Sequence, residues 1–212
     1  MGTYNKGILG AFSGKVGPVV GASWRGKEVM RSLPKKSNRV ATVLQQRQRQ
    51  KFTMVNDFLR GVQPVVKRYY GGDSGIKTRS NQAMSYLMRE ALVFTDPDFE
   101  WNYSKVLISR GDLTGIDEAT ITVAAGQINV MWTDNSDQGE ARADDRLVLV
   151  VYAPESKAVV YSLAAGARAD AAAALAMPSY LAGAEVHVWA TFVAADEKLF
   201  ATSLYLGSIT VI

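Results

Sequence analysis

Alternating apolar and polar residues over residues 19–33 predict a β-hairpin. Two short runs, VVGASW and EVMRSL, lie on either side of a predicted turn at Gly26. The period of two places Trp24 on the same face as Val29, or on the same face as Met30 if the register slips by one residue. A two-stranded hairpin is only marginally stable in water, so it needs a further partner. We therefore expect the glycine-interrupted first strand to be an edge that can pair with another strand.

Helical periodicity begins after the hairpin. Thr42 and Gln45 form a capping-box pattern, and the apolar residues that follow recur every three or four positions. Gly61 and Pro64 predict a break in this first helix. Ser80 is the predicted cap of a second helix. The apolar faces of the two predicted helices consist of Leu44, Phe52, Val55, Leu59 and Val62, and of Ala83, Leu87, Ala91 and Phe94.

From Trp101 onward the period changes to two, which predicts β-structure. Turn signals such as AAGQ, DNSDQG, APESK and AADEK separate seven or eight short apolar runs, the pattern of an antiparallel β-sandwich. No Cys pair is present, so a fibronectin-III-like sandwich is a closer expectation than an antibody-type immunoglobulin domain. The predicted strands are Lys105–Ser109, Ala119–Ala124, Gln127–Thr133, Arg146–Tyr152, Ala158–Leu163, Arg168–Leu175, Glu185–Val193 and Ala201–Val211. The predicted core side chains are Trp132, Val150, Trp189, Phe192 and Tyr205.

Together these patterns predict an α+β fold with two domains. The turn cluster TDPD is the expected boundary, which gives a basic arm, hairpin and helical region over 1–98 and an acidic β-sandwich over 99–212. Residues 1–94 carry 17 Lys and Arg against four acids, a net charge of +13, whereas residues 95–212 carry seven against 16, a net charge of −9. This split indicates a polyanionic partner or contact between oppositely charged halves of different copies. Separate solvation of each half is the simpler alternative.

The N-terminal segment combines glycines with many cations. Glycine at positions 7, 10, 14, 17 and 21 predicts an extended arm rather than a helix. Three apolar side chains are candidate anchors in a neighbouring groove, namely Ile8, Leu9 and Phe12. The next segment is the candidate contact surface for nucleic acid or for a second copy, because it is dense in Lys and Arg. Its candidate contact residues are Trp24, Arg25, Lys27, Arg31, Lys35, Lys36, Arg39, Arg47, Arg49 and Lys51.

Residues that commonly carry catalysis are scarce. The chain has no Cys and one His, His187, which lies in a predicted strand without the spacing of a catalytic triad, so we expect it to be structural. The acidic segment 134–145 loosely resembles a calcium-binding loop but lacks its ligand spacing, and a solvated hairpin loop is the preferred interpretation. We therefore expect no enzymatic activity, no metal and no cofactor.

The chain contains no stretch that approaches the roughly 20 apolar residues needed to span a bilayer. Residues 1–15 also lack the apolar core of a signal peptide. We therefore expect no membrane interaction, and a location in the cytoplasm or in a particle assembled there.

A longer motif lies across the arm, the hairpin and the start of the first helix. The run GILGAFSGKVGPVVGASWRGKEVMRSLPKKSN, followed by VLQQRQRQKF, resembles a bacterial family of unknown function whose members carry G-x-F-S-G-K-V-G, V-V-G, W-R-G and R-S-x-P in this order. The resemblance covers residues 7–55, with Ala11 where the pattern has Pro. A shorter form of the motif is similar to segments of predicted phage-particle proteins. The resemblance implies a structural protein of phage or prophage origin, present in many copies, and assigns no activity to any residue.

Three functional hypotheses follow from these observations. The first is a non-enzymatic assembly subunit of a phage-like particle or filament, which contacts other copies or other particle proteins through its N-terminal arm. The second is a nucleic-acid-binding protein that uses the basic half. The third is an adhesion or ligand-binding module that uses the loops of the β-sandwich.

Overall fold

The fold is described from a computed structural model, which covers residues 2–3, 12–24, 26–35, 40–72 and 77–212. The chain divides into two compact units, Met1–Val43 and Leu44–Ile212. The predicted boundary after residue 98 falls inside the second unit. The helical segment belongs to that unit because its apolar face shares a core with C-terminal strands.

The first unit contains a small antiparallel sheet. Its strands are β1 (Gly2–Thr3), β2 (Gly14–Val16), β3 (Val19–Trp24) and β4 (Lys27–Ser32), in the order β1-β4-β3-β2 among the described residues. The predicted hairpin is confirmed as β3 and β4, with Ala22 opposite Val29. The first hairpin strand pairs with a further strand, as expected, but that strand is β2 of the same chain. Gly17 makes that pairing possible because it has φ +57° in the tight turn between β2 and β3.

Two helices begin the second unit, and they differ from the prediction in two places. Helix α1 (Val43–Tyr69) continues through Pro64 without a break, and helix α2 (Arg79–Glu90) follows. Packing explains the continuity, since Val62 and Val65 on either side of the proline are fully buried. The cap of α2 is Thr78 rather than Ser80, because the Thr78 hydroxyl accepts a hydrogen bond from the Asn81 amide at 3.3 Å.

A short hairpin follows α2. It consists of β5 (Leu92–Thr95) and β6 (Asp98–Trp101), joined by a turn at the cis peptide Asp96–Pro97. The predicted turn at TDPD is therefore confirmed. Phe94, expected on the buried face of the second helix, lies on β5 instead and is partly exposed.

The remaining strands form two antiparallel sheets. They are β7 (Asp117–Ala124), β8 (Gln127–Thr133), β9 (Arg146–Ala153), β10 (Ala158–Ser162), β11 (Ala172–Ala176), β12 (Glu185–Val193) and β13 (Leu204–Thr210). The orders are β10-β9-β12-β13 and β11-β8-β7. The predicted strand at 105–109 is wrong, since those residues form no strand. The strand predicted from residue 168 is observed only from Ala172, as β11, because residues 168–170 form a 3-10 turn. The α+β class is confirmed with these separate sheets.

The four-stranded sheet has a core on each face. On β9, Val148 and Val150 share an apolar cluster with Phe58 of α1, whereas Leu147 and Leu149 belong to a second cluster that includes the three-stranded sheet. Strands β9 and β12 are consequently buried almost throughout, which explains their nearly continuous apolar sequences. Four of the predicted core side chains are buried, and Tyr205 is half-buried.

Helices formed by the described residues include none that is both long and apolar enough to cross a membrane.

Candidate interaction surfaces

The strand register gives the N-terminal sheet two faces of different character. Side chains of directly opposed residues lie on the same face, and successive residues of a strand alternate between faces. Lys15 opposes Val20, Val20 opposes Arg31, and Trp24 opposes Lys27. All of these residues therefore share one face. Val16 opposes Val19 on the other face, to which Met30 also belongs.

We call the first of these the basic face, defined by Lys15, Trp24, Lys27 and Arg31. These four side chains are exposed, and Trp24 keeps 50% of its surface accessible. The centre of the face is apolar and covered, since Val29 is only 4% exposed. Glu28, the one acid in strands β1 to β4 as the structure describes them, lies on the opposite face because it is adjacent to Lys27 in β4. The basic face therefore combines three cations with one exposed aromatic ring.

We call the second the apolar face, defined by Phe12, Val16, Val19 and Met30. The Phe12 ring and carbonyl lie directly over Gly21, where a side chain would overlap them. Gly21 opposes Met30 and therefore carries Phe12 on the Met30 side of the sheet. Val16 and Met30 remain exposed beside it. Of the three predicted arm anchors, Phe12 thus packs on its own hairpin, whereas Ile8 and Leu9 lie outside the described residues.

Two of the three predicted contact residues on α1 have partners within the second unit. The Arg47 guanidinium lies over the Phe94 ring at 4.2 Å and 3.8 Å from Asp96, and Lys51 lies over the Phe99 ring at 4.8 Å. These contacts fix the start of α1 against the β5–β6 hairpin. Sequence reasoning missed this role because the hairpin was not predicted. Arg49 is exposed.

Of the other candidate contact residues, the structure describes only Lys35. Lys35 is exposed after β4. Arg25, Lys36 and Arg39 lie outside the described residues, so their proposed role stays a prediction. The structure therefore brings together Trp24, Lys27 and Arg31, and adds Lys15, which the sequence did not single out.

Large apolar side chains are also exposed at the end of the first unit and at the start of the second. Val40, Val43 and Leu44 are each more than half exposed, and Phe52 on α1 is 52% exposed. The amphipathic pattern of the sequence had placed Leu44 and Phe52 on the buried face of the helix. That expectation is wrong for this part of α1, whose buried residues begin at Val55.

The acidic segment 134–145 is organised by a buried ion pair. Arg168 is fully buried, and its Nε donates to Asp145 Oδ2 at 3.0 Å. Its terminal nitrogens donate to Asn135 Oδ1 at 2.5 Å and to the Thr114 carbonyl at 2.9 Å. The guanidinium carbon also lies 3.8 Å from the centre of the Phe192 ring. Burial lowers the pKa of Arg168, and Asp145 opposes this shift. Asp145 is therefore a structural partner of Arg168.

His187 lies in β12, as predicted, and packs among aromatic rings. Its ring stacks on Tyr103 with centroids 3.6 Å apart, and its Nδ1 lies 2.8 Å from the Tyr205 hydroxyl. Burial lowers the pKa of His187, and burial raises the pKa of Tyr103 to about 12. Both groups are consequently neutral near pH 7. The described residues contain no cluster of His, Cys, Asp and Glu that could hold a metal ion.

Residues 11–207 match the model of a family of unknown function, DUF6266. Because the match covers most of the chain, the protein belongs to this family. Searches of curated proteins and of solved structures gave no match. The predicted membership in a family of unknown function is confirmed, and it extends from the N-terminal motif through the β-rich part of the chain. The similarity to phage-particle proteins stays a prediction.

Proposed function

We propose that this protein is a non-enzymatic assembly subunit, which binds a second copy of the chain through the apolar face of its N-terminal sheet. In the fuller form of the proposal, many copies build a phage-like particle or filament. The particle part depends on the sequence resemblance of residues 7–55, whereas the self-association part has support in the structure.

One observation carries the self-association proposal. Among the described residues 12–35, Val29 is the one large apolar side chain that is buried. Val16, Met30 and Leu33 are exposed instead, together with Trp24. The described strands of this sheet therefore carry apolar side chains whose surfaces stay largely exposed.

The energies involved favour a partner. Ordering a residue costs about 1–2 kcal/mol of backbone entropy, whereas full burial of one valine contributes only about 1.5–3 kcal/mol. Burying the exposed surfaces of Val16 and Met30 against an equivalent face would add a contribution of similar size from each chain. A two-fold arrangement places the same apolar face on both sides of the contact, which is the commonest symmetry of soluble oligomers.

The free edge of the sheet offers a second means of association. Strand β2 pairs with β3 on one side, and no described strand pairs with its other side. Such an edge can accept a strand from a neighbouring copy by backbone hydrogen bonding. The opposite charges of residues 1–94 and 95–212 would then orient successive copies.

The β-rich part of the second unit would form the body of each subunit. We propose that its four-stranded and three-stranded sheets pack as a fibronectin-III-like sandwich. This is supported by the apolar cluster that Ile128 of β8 shares with Leu149 of β9 and Val188 of β12.

Sedimentation velocity of the full chain over a range of concentrations tests the proposal. We expect the wild type to form dimers or larger species as concentration rises, and the double variant Val16→Asp, Met30→Asp to remain monomeric. Met131→Asp is the matched control, since Met131 is also exposed on a strand but belongs to the second unit. A wild type that is strictly monomeric at high concentration and low salt would overturn the proposal. So would an equal loss of association in the control.

A further inference from the structure

We propose that the basic face of the N-terminal sheet binds single-stranded nucleic acid. In this arrangement Trp24 stacks on one base, and the three cations of the face contact backbone phosphates. The inference is independent of the assembly proposal, because it uses the opposite face of the sheet.

The spacing of the cations indicates a ligand with repeated negative charges. Lys15 and Arg31 are two strands apart, or about 10 Å, and Lys27 and Arg31 are four residues apart on β4, or about 13 Å. Cations at these separations do not converge on one phosphate group. They can each contact a different phosphate of an extended polyanion.

The aromatic ring distinguishes a nucleic acid from other polyanions. Trp24 lies directly opposite Lys27, and half of its surface is accessible. Sites for single strands combine a cationic surface with an aromatic side chain on which a base stacks. An acidic peptide has charges but no bases to stack, so it would use the cations alone.

The same geometry favours a single strand over a duplex. Bases of a duplex stack on each other and present only their edges in the grooves, whereas a single strand exposes the flat surface of each base. A sheet face with one exposed ring can meet that flat surface. Because every base has such a surface, we expect little dependence on sequence.

Fluorescence anisotropy of a labelled oligothymidylate of about 20 nucleotides, titrated with the full chain, tests the inference. Each phosphate contact with a single strand contributes a slope of about −0.7 to the dependence of log K on log salt. Three cations therefore predict a slope of about −2, or a roughly 20-fold loss of affinity between about 50 and 200 mM salt.

Variants separate the two parts of the site. We expect Trp24→Ala to weaken binding about tenfold with an unchanged salt slope, and Trp24→Phe to retain most of the affinity. The triple variant Lys15→Ala, Lys27→Ala, Arg31→Ala should lose most of the salt dependence. A control variant removes three exposed cations of α1, and we expect a much smaller effect from it. These control residues are Arg60, Lys67 and Arg68.

If the triple variant of the basic face and the control variant of α1 weaken binding equally, the attraction is a long-range effect of the whole basic half rather than a site on this face. An unchanged affinity of Trp24→Ala would exclude stacking on the Trp24 ring. A triple variant of the basic face that loses self-association but still binds the oligonucleotide would show that this face contacts the acidic part of another copy. Preference for a duplex of the same length would also contradict the proposal. Circular dichroism of each variant checks that the sheet is retained.

Discussion

Replacing Asp145 by Ala removes the charge partner of a fully buried arginine. The Arg168 guanidinium would keep its hydrogen bonds to Asn135 and Thr114 but would lose the carboxylate 3.0 Å from Nε. The Arg142 amide, which donates to the same carboxylate oxygen at 2.9 Å, would lose its acceptor as well. Breaking a buried ion pair by removing one partner costs about 3–5 kcal/mol, because a charge is left uncompensated in a region of low dielectric constant.

Urea unfolding followed by tryptophan fluorescence measures this loss. The indole Nε1 of Trp132 donates to the Arg168 carbonyl at 2.8 Å, so one reporter lies beside the perturbed site. With an m value of about 2 kcal/mol/M, the expected destabilisation lowers the midpoint by about 1.5–2.5 M urea. Lys157→Ala is the control, because it breaks an exposed ion pair with Asp57 at 3.1 Å and should cost less than about 1 kcal/mol.

A midpoint for Asp145→Ala within about 0.5 M of the control would refute this account of the buried pair. The double variant Asp145→Leu, Arg168→Met adds a further test. It removes both charges together, so it should recover much of the stability that the single variant loses. Failure to recover would show that the lost stability comes from the shape of the site rather than from the unpaired charge.

Three other predictions follow from single contacts. Gly61→Ala should destabilise the second unit by about 1–3 kcal/mol in urea unfolding, because the added methyl group would overlap Val159. This loss is expected even though alanine normally favours a helix, and adding Val159→Ala should relieve it. Burial holds the pKa of His187 below its usual 6.5. The free energy of unfolding is therefore unaffected by this residue above about pH 6.5, and it decreases as the pH falls towards the lowered pKa, because the unfolded chain then binds a proton that the folded chain does not. Unfolding midpoints against pH should therefore be flatter for His187→Gln. Gly21→Ala should make the N-terminal sheet sensitive to limited proteolysis while the second unit stays resistant, because the methyl group would overlap the Phe12 backbone. Equal protection of the N-terminal sheet in the wild type and in Gly21→Ala would contradict this reasoning.

Much of the local structure follows from the sequence. The hairpin at Val19–Trp24 and Lys27–Ser32 is specified by alternating residues around a turn in which Gly26 has φ +75°. Strands β8 and β12 match their predicted bounds because turn residues delimit them on both sides. These features depend on neighbours within a few positions, which is the range over which propensity and periodicity act.

The remaining features depend on contacts between segments that are distant in the sequence. Pro64 lies inside a continuous helix because burial of Val62 and Val65 outweighs the lost backbone hydrogen bond. Arg168 and Asp145 are 23 positions apart, and no spacing rule joins them. Lys15 joins the basic face only because β2 pairs with β3. Sequence by itself determined which segments are helical, extended or charged, whereas tertiary structure alone decided which side chains meet, because burial and charge pairing depend on contacts between distant segments.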